Sequence, residues 1–199
     1  MRAALQSCAL IFMIFSGLGL TAEAKMLDPD GLIRPELLER ALTAMETHTQ
    51  ESRSTGKLVI VDYGQHSSKK RLHVIDLATG AVSAYHAAHG MGTDKDHDGY
   101  LDSFSSLPGS QASSEGTFRF AEEYTGKHGQ SFRLDGLDET NRTSRERAIV
   151  IHAADYAEPA FLARHGKLGR SNGCIVFSKD DLARFMEEVP EGTLIFVGK

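Results

Sequence analysis

From Lys57 onward the chain is a series of short runs rich in β-branched and aromatic residues, broken by clusters of glycine, serine, asparagine and aspartate. The runs fall at residues 58–63, 71–77, 81–86, 116–120, 131–134, 148–152, 174–177 and 193–197. Each is too short for a stable helix and has the alternating or continuous apolar character of a strand. Thr79-Gly80 supplies a tight turn between the second and third. Many strands joined by turns, with few helices, predict a mainly β fold of sandwich or barrel-like form. Two stretches depart from this pattern. Residues 35–50 begin with Pro35, suited to a first helical turn, and carry leucines at helical spacing, so an N-terminal helix is expected. Residues 180–188 form a second, short C-terminal helix with Ser178 as its N-cap. Residues 90–116 hold most of the small and turn-forming residues and read as one long loop, a feature that in a compact domain goes with function.

The first two dozen residues have a different design. Arg2 gives a positive start, residues 8–20 are apolar apart from Ser16 and two glycines, and Ala22-Glu23-Ala24 has the small-x-small form of a processing site. A secretory leader over 1–24 is therefore expected, followed by a helical segment and connector over 25–56 and a main domain over 57–199. The apolar run falls short of the roughly 20 residues that a spanning helix needs. The mature chain is thus expected to be exported, periplasmic or wall-associated, with no membrane span. The whole chain carries 22 basic and 27 acidic residues, a net charge of −5, and no basic block longer than Lys69-Lys70-Arg71. That balance argues against nucleic acid as a partner.

Cleavage after Ala24 would remove Cys8 and leave Cys174 as the single cysteine. An exported protein with one cysteine has no internal disulfide to make, so the thiol is either buried and inert or kept for its reactivity. Cys174 ends the segment Leu168-Gly169-Arg170-Ser171-Asn172-Gly173-Cys174. Gly173 permits a tight turn and frees N–H groups near the sulfur, which would stabilise a thiolate or the oxyanion formed when it attacks a carbonyl. Arg170 adds positive charge. His152, at the end of a buried strand, is the expected base, and His165 a rival placed in a loop. On these residues alone two accounts stand: a nucleophile with its base, or a small core residue with a strand-end polar group.

A histidine on a strand followed by Ser-x-Gly-Cys resembles the L,D-transpeptidase (YkuD-type) catalytic domain, and the wider pattern resembles its murein-associated second subfamily. The matching blocks run in order: His89-Gly90-Met91-Gly92, residues 104–110, Ser113-Ser114-Glu115-Gly116, residues 124–129, Leu134-Asp135-Gly136-Leu137, residues 152–156 and residues 169–174. The resemblance implies a cofactor-free cysteine transpeptidase acting on peptidoglycan stem peptides. Cys174 would attack the carbonyl of the third residue of a donor tetrapeptide, His152 would act as base and then acid, D-alanine would leave, and an amine would take the acyl group. A hydrolase of the same fold, or a non-catalytic wall-binding module, are the other readings. Gly173 is carried over with the catalytic pair, and Arg170, Ser171, Asn172, His89 and Tyr156 as pocket residues. Two positions depart from the family: Asn172 stands where a histidine or tryptophan is common, and Ile175-Val176-Phe177 lacks a frequent proline.

His86 and His89 form a His-Ala-Ala-His pair, but on a strand residues three apart face opposite sides, which disfavours a zinc site. Asp94, Asp96, Asp98 and Asp102, with glycine at Gly99, match the first nine positions of a calcium loop. Ser105 stands where its twelfth-position glutamate belongs, so a weak structural Ca²⁺ is the expectation.

Overall fold

The computed structural model describes residues 27–53 and 55–199; the expected leader lies outside them. Helix α1 (Pro35–Thr47) precedes β1 (Lys57–Asp62), β2 (Lys70–Asp76) and β3 (Val82–His86). After a long loop come β4 (Gly116–Gly126), β5 (Gly129–Gly136) and β6 (Val150–Ala153), then α2 (Pro159–His165), β7 (Ile175–Phe177), α3 (Lys179–Glu188) and β8 (Leu194–Gly198). The fold is mainly β, as expected, and the strands form one sheet in the order β3-β2-β1-β8-β4-β5-β6-β7.

The last strand is what joins the sheet. β8 lies between β1, to which it is parallel, and β4, to which it is antiparallel. β7 runs parallel to β6, with Ile151 opposite Ile175 and His152 opposite Val176. The ends of the sheet also meet: Ala88, just past β3, pairs with Val176 of β7, its N–H donating to the Val176 carbonyl at 2.8 Å. The sheet is therefore curled nearly to closure, which is the physical content of the barrel-like expectation.

Strand alternation then sorts the side chains into layers. Val59 and Val61 point into the main core with Phe118, Phe120, Ile151, Phe177 and Phe185. Leu58 and Ile60 point the other way and are covered by Leu37 and Ala41 of α1. Burying one such leucine stabilises the fold by about 2 kcal/mol, so α1 is held by this apolar stripe and not by its intrinsic propensity. A third, smaller cluster holds Ala88, Val150, Ala157, Leu168, Cys174 and Val176. Because Ile151 and Ile175 face the main core, Val150 and Cys174 must face this outer layer.

Two local features differ from the expectation, and one agrees with it. Helix α2 has no buried residue, so it left no apolar stripe in the sequence, although Pro159 at its start and Gly166 at its left-handed end (φ 70°) mark its limits. Strand β4 runs on past Phe120 to Gly126 and forms a polar hairpin with β5, bulged between Phe120 and Glu123. α3 is capped as expected, with Ser178 Oγ accepting the Asp181 N–H at 3.2 Å.

Candidate active site

The turn from Arg170 to Cys174 is shaped by its own side chains. Ser171 Oγ donates to the Cys174 carbonyl at 2.8 Å and accepts the Gly173 N–H at 3.0 Å. The Ser171 hydroxyl thus braces the turn, and the Gly173 N–H, expected as an oxyanion donor, is already in use. Gly173 has φ 116°, and a Cβ there would lie 2.6 Å from the Ala112 carbonyl oxygen and 2.8 Å from Ile149 Cδ1. Only glycine fits both the backbone and the space.

Cys174 is 9% exposed. Its Sγ lies 3.8 Å from the Ala148 carbonyl oxygen, which accepts the S–H, and the Val150 N–H favours the thiolate form. Ala148 holds a left-handed backbone (φ 52°), a conformation that costs a non-glycine residue about 1 kcal/mol or more and aims this carbonyl at the sulfur. Burial raises the thiol pKa above its ordinary value, against the smaller opposing effects of the Val150 N–H, Lys127 and Arg147.

His152 is 2% exposed and lines the same cavity as Cys174. Its Nδ1 is 2.9 Å from the Ala153 carbonyl oxygen. A carbonyl only accepts, so Nδ1 carries the proton and Nε2 keeps the lone pair. Burial lowers the pKa of His152, helped by repulsion from His128 and Lys127 and opposed by the Ala153 contact. His128 stacks on His152 with ring centroids 4.1 Å apart and planes 17° from parallel, capping the base from the β4–β5 turn. Both shifts favour a neutral thiol beside a neutral imidazole over the thiolate–imidazolium pair.

The cavity, about 320 Å³, is also lined by Tyr156, Arg170, Ser171 and Asn172, so four of the five expected pocket residues meet there. Asn172 Oδ1 accepts Gln111 Nε2 at 3.2 Å, and burial, together with Cys174, pushes the Tyr156 hydroxyl up to about 12. His89 is elsewhere. It is 1% exposed and sits in a buried chain: Arg71 Nη2 donates to His89 Nδ1 at 2.7 Å, and His89 Nε2–H donates to Asp94 Oδ2 at 3.0 Å. Since arginine can only donate, His89 is the neutral Nε2–H tautomer, and burial with the Arg71 charge pushes it down to about 4. It supports the site through its backbone, its carbonyl accepting the Ser171 N–H at 2.8 Å. His165 ends α2, packed on Phe161 at 4.3 Å and outside the cavity lining.

Sequence reasoning missed Arg71, Lys127, His128 and Arg147. Arg147 ties the 105–114 loop to the site, donating to the carbonyls of Ser105 and Ala112 and to Ser114 Oγ. Lys127 and His128 left a signal in the basic pair between Gly126 and Gly129 at a hairpin tip. The buried Arg71 left none, because it sits in a strand pattern and its partners are distant in sequence.

In the acidic loop, Asp94, Asp96 and Asp98 bring carboxylate oxygens within 4.8 Å of one another; among the described residues Asp102 does not join them. Asp94 Oδ1 accepts the Asp98 N–H at 3.0 Å and Oδ2 the Gly99 N–H at 3.2 Å. His86 is held apart from His89's chain, its Nε2 3.2 Å from the Ser68 carbonyl oxygen.

A family model of the L,D-transpeptidase catalytic domain matches residues 30–197. Among solved structures, an L,D-transpeptidase from Mycobacterium smegmatis is 16% identical, with 72% of this chain and 59% of that chain covered, at a TM-score of 0.43. L,D-transpeptidase 3 from Mycobacterium tuberculosis is 13% identical, with 72% of this chain and 61% of that chain covered, at a TM-score of 0.45. The chain therefore spans about three fifths of the length of these structures. No curated protein matches it.

Proposed function

Because the chain belongs to the L,D-transpeptidase catalytic domain family, we propose that it is an exported cysteine acyltransferase acting on peptidoglycan stem peptides. The observation that carries this reading is one cavity lined by the Cys174 thiol and by a His152 whose Nδ1 is committed to Ala153, leaving Nε2 as base. Cys174 Sγ attacks the carbonyl carbon of the third residue of a donor tetrapeptide while its proton passes to His152 Nε2. Burial disfavours the charged form of both groups, so proton transfer accompanies attack. The Cys174 N–H is the donor that remains, of the two expected at the turn, for the oxyanion. The tetrahedral carbon then expels D-alanine, whose nitrogen takes the proton from His152, and a thioester is left on Cys174. An acceptor amine attacks the thioester, its proton passes to His152, and the thiol is restored as the new amide forms. The leader over 1–24 would carry the chain to its substrate, and among the described residues no helix is long and apolar enough to cross a membrane.

Incubation of the protein with purified tetrapeptide muropeptides, followed by mass spectrometry, tests the reading. Cross-linked dimers or exchanged terminal D-amino acids are expected. Tripeptides alone would identify a hydrolase, and unchanged substrate a binding module.

For the acidic loop we propose a structural calcium ion held by Asp94, Asp96 and Asp98, with no part in bond breaking. An oxygen-only donor set suits a hard cation, and a set this incomplete binds in the range of about 10⁻⁴–10⁻³ M. Millimolar calcium should raise the melting temperature of the wild type, because a ligand of the folded state stabilises it by mass action. Asp96→Asn with Asp98→Asn should abolish the rise; no rise in the wild type would leave a solvated acidic turn.

A further inference from the structure

We propose that the catalytic cavity selects acyl donors whose third residue carries a free carboxylate on its side chain, and that Lys127 is the residue that reads it. The inference rests on Cys174 being the acylated nucleophile and concerns which donor it takes.

The charge distribution carries the argument. Over the whole chain acids outnumber bases, 27 to 22. Away from the cavity most arginines find carboxylates: Arg34 pairs with Asp62 at 2.8 Å, Arg40 with Glu115 at 2.7 Å and Arg145 with Glu122 at 2.6 Å. At the cavity the pattern inverts. Lys127, His128, Arg147 and Arg170 line it, and among the described residues no aspartate or glutamate does. The guanidinium of Arg147 is held entirely by neutral oxygens, those of Ser105, Ala112 and Ser114, so its charge is oriented without being neutralised. Arg170 gives Nη1 to the Asp94 backbone carbonyl. The Asp94 carboxylate, which feels Arg170, is occupied by His89 and the Gly99 N–H. Lys127 makes no hydrogen bond or ion pair with any described residue.

A concave site with several cations and no anion has a positive potential that attracts an anionic ligand. The roles divide by attachment. Arg147 is spent on the fold, and Arg170 is tethered within the catalytic turn. Lys127 stands at the hairpin tip, and its charge reaches both reacting groups, favouring the Cys174 thiolate and disfavouring the His152 imidazolium. Lys127 lines the same cavity as Cys174, which places it beside the acyl group that Cys174 would hold, and its ammonium is free to meet a ligand. The scissile carbonyl belongs to the third residue, so a carboxylate on that residue's side chain is retained in the acyl-enzyme, whereas the carboxylate of D-alanine departs. An amide or a lysine side chain in its place would leave Lys127 facing a neutral or a like-charged group.

The test uses three tetrapeptides identical except at residue three: meso-diaminopimelate, its side-chain amide, and lysine. The rate of Cys174 acylation is read by intact mass for each. The carboxylate donor is expected to exceed the other two by about three- to fivefold, the upper scale of an exposed ion pair, and added salt should narrow the gap. In Lys127→Gln the preference should collapse to within about twofold, and in Lys127→Arg it should persist, with circular dichroism confirming that both variants fold. Equal acylation of all three donors by the wild type would overturn the selectivity while leaving Cys174 as nucleophile. A preference undiminished in Lys127→Gln would overturn the role of Lys127. No adduct from any donor on folded protein would overturn the functional reading and this inference with it.

Discussion

Replacing Cys174 with serine is expected to lower turnover of a tetrapeptide donor by at least about 10⁴-fold, the scale seen when a covalent nucleophile is removed. A neutral hydroxyl is a much poorer nucleophile than a thiol near neutral pH, and it depends more heavily on its base. Here the base is weakened by burial and by the charges of Lys127 and His128, so His152 is poorly matched to deprotonating a hydroxyl. The fold should be unaffected. Serine retains the small volume of the residue in the outer cluster. Single-turnover kinetics beside a thermal melt separate the two effects. Activity near wild type in the serine variant would contradict the assignment.

His152→Ala should cost on the order of 10²–10⁴-fold in acylation, the range for a lost general base. His165→Ala should cost little, because that ring packs on Phe161 at the end of α2. The pH profile adds a second signature. A base works only when unprotonated, so the wild-type rate falls as pH drops through the pKa of His152. Burial, His128 and Lys127 all place that pKa below the ordinary histidine value of about 6.5, and only the Ala153 contact opposes them. The acid limb should therefore lie below about pH 6.5. On the alkaline side the buried thiol, raised above its ordinary value, stays protonated further than a free cysteine would. Together these give a broad plateau across neutral pH. A limb at or above the ordinary histidine value would point to a solvated or differently placed base.

The strands were legible because alternation is a local property: residues 58–63 or 193–197 carry their burial pattern whatever they pair with. Their connectivity was not. Nothing in residues 193–197 says that they insert between β1 and β4, since that pairing is decided by the whole sheet. Cys174 and His152 were legible because the turn glycine, the lone thiol and the strand-end histidine coincide with a periodic pattern. His89 was misplaced for a physical reason. It stands in a matching block but points into a buried chain with Arg71 and Asp94, and only tertiary packing brings those partners together. Ser171 was found at the right place, yet its hydroxyl turns inward to the Cys174 carbonyl, a direction that spacing does not encode. Arg170 was legible, but the rest of the cationic lining was not, because Lys127 and Arg147 are distant from it in sequence and join it only when the β4–β5 hairpin, the segment before β6 and the catalytic turn converge.

The central claim is that Cys174 forms the acyl-enzyme. The most direct measurement is rapid quenching of the protein with a tetrapeptide donor, followed by intact-mass analysis and peptide mapping. The account predicts an added mass equal to the donor less D-alanine, located on the peptide containing Cys174 and absent from Cys174→Ser. Release of D-alanine with Cys174 unmodified throughout, or an adduct mapped to another residue, would contradict it.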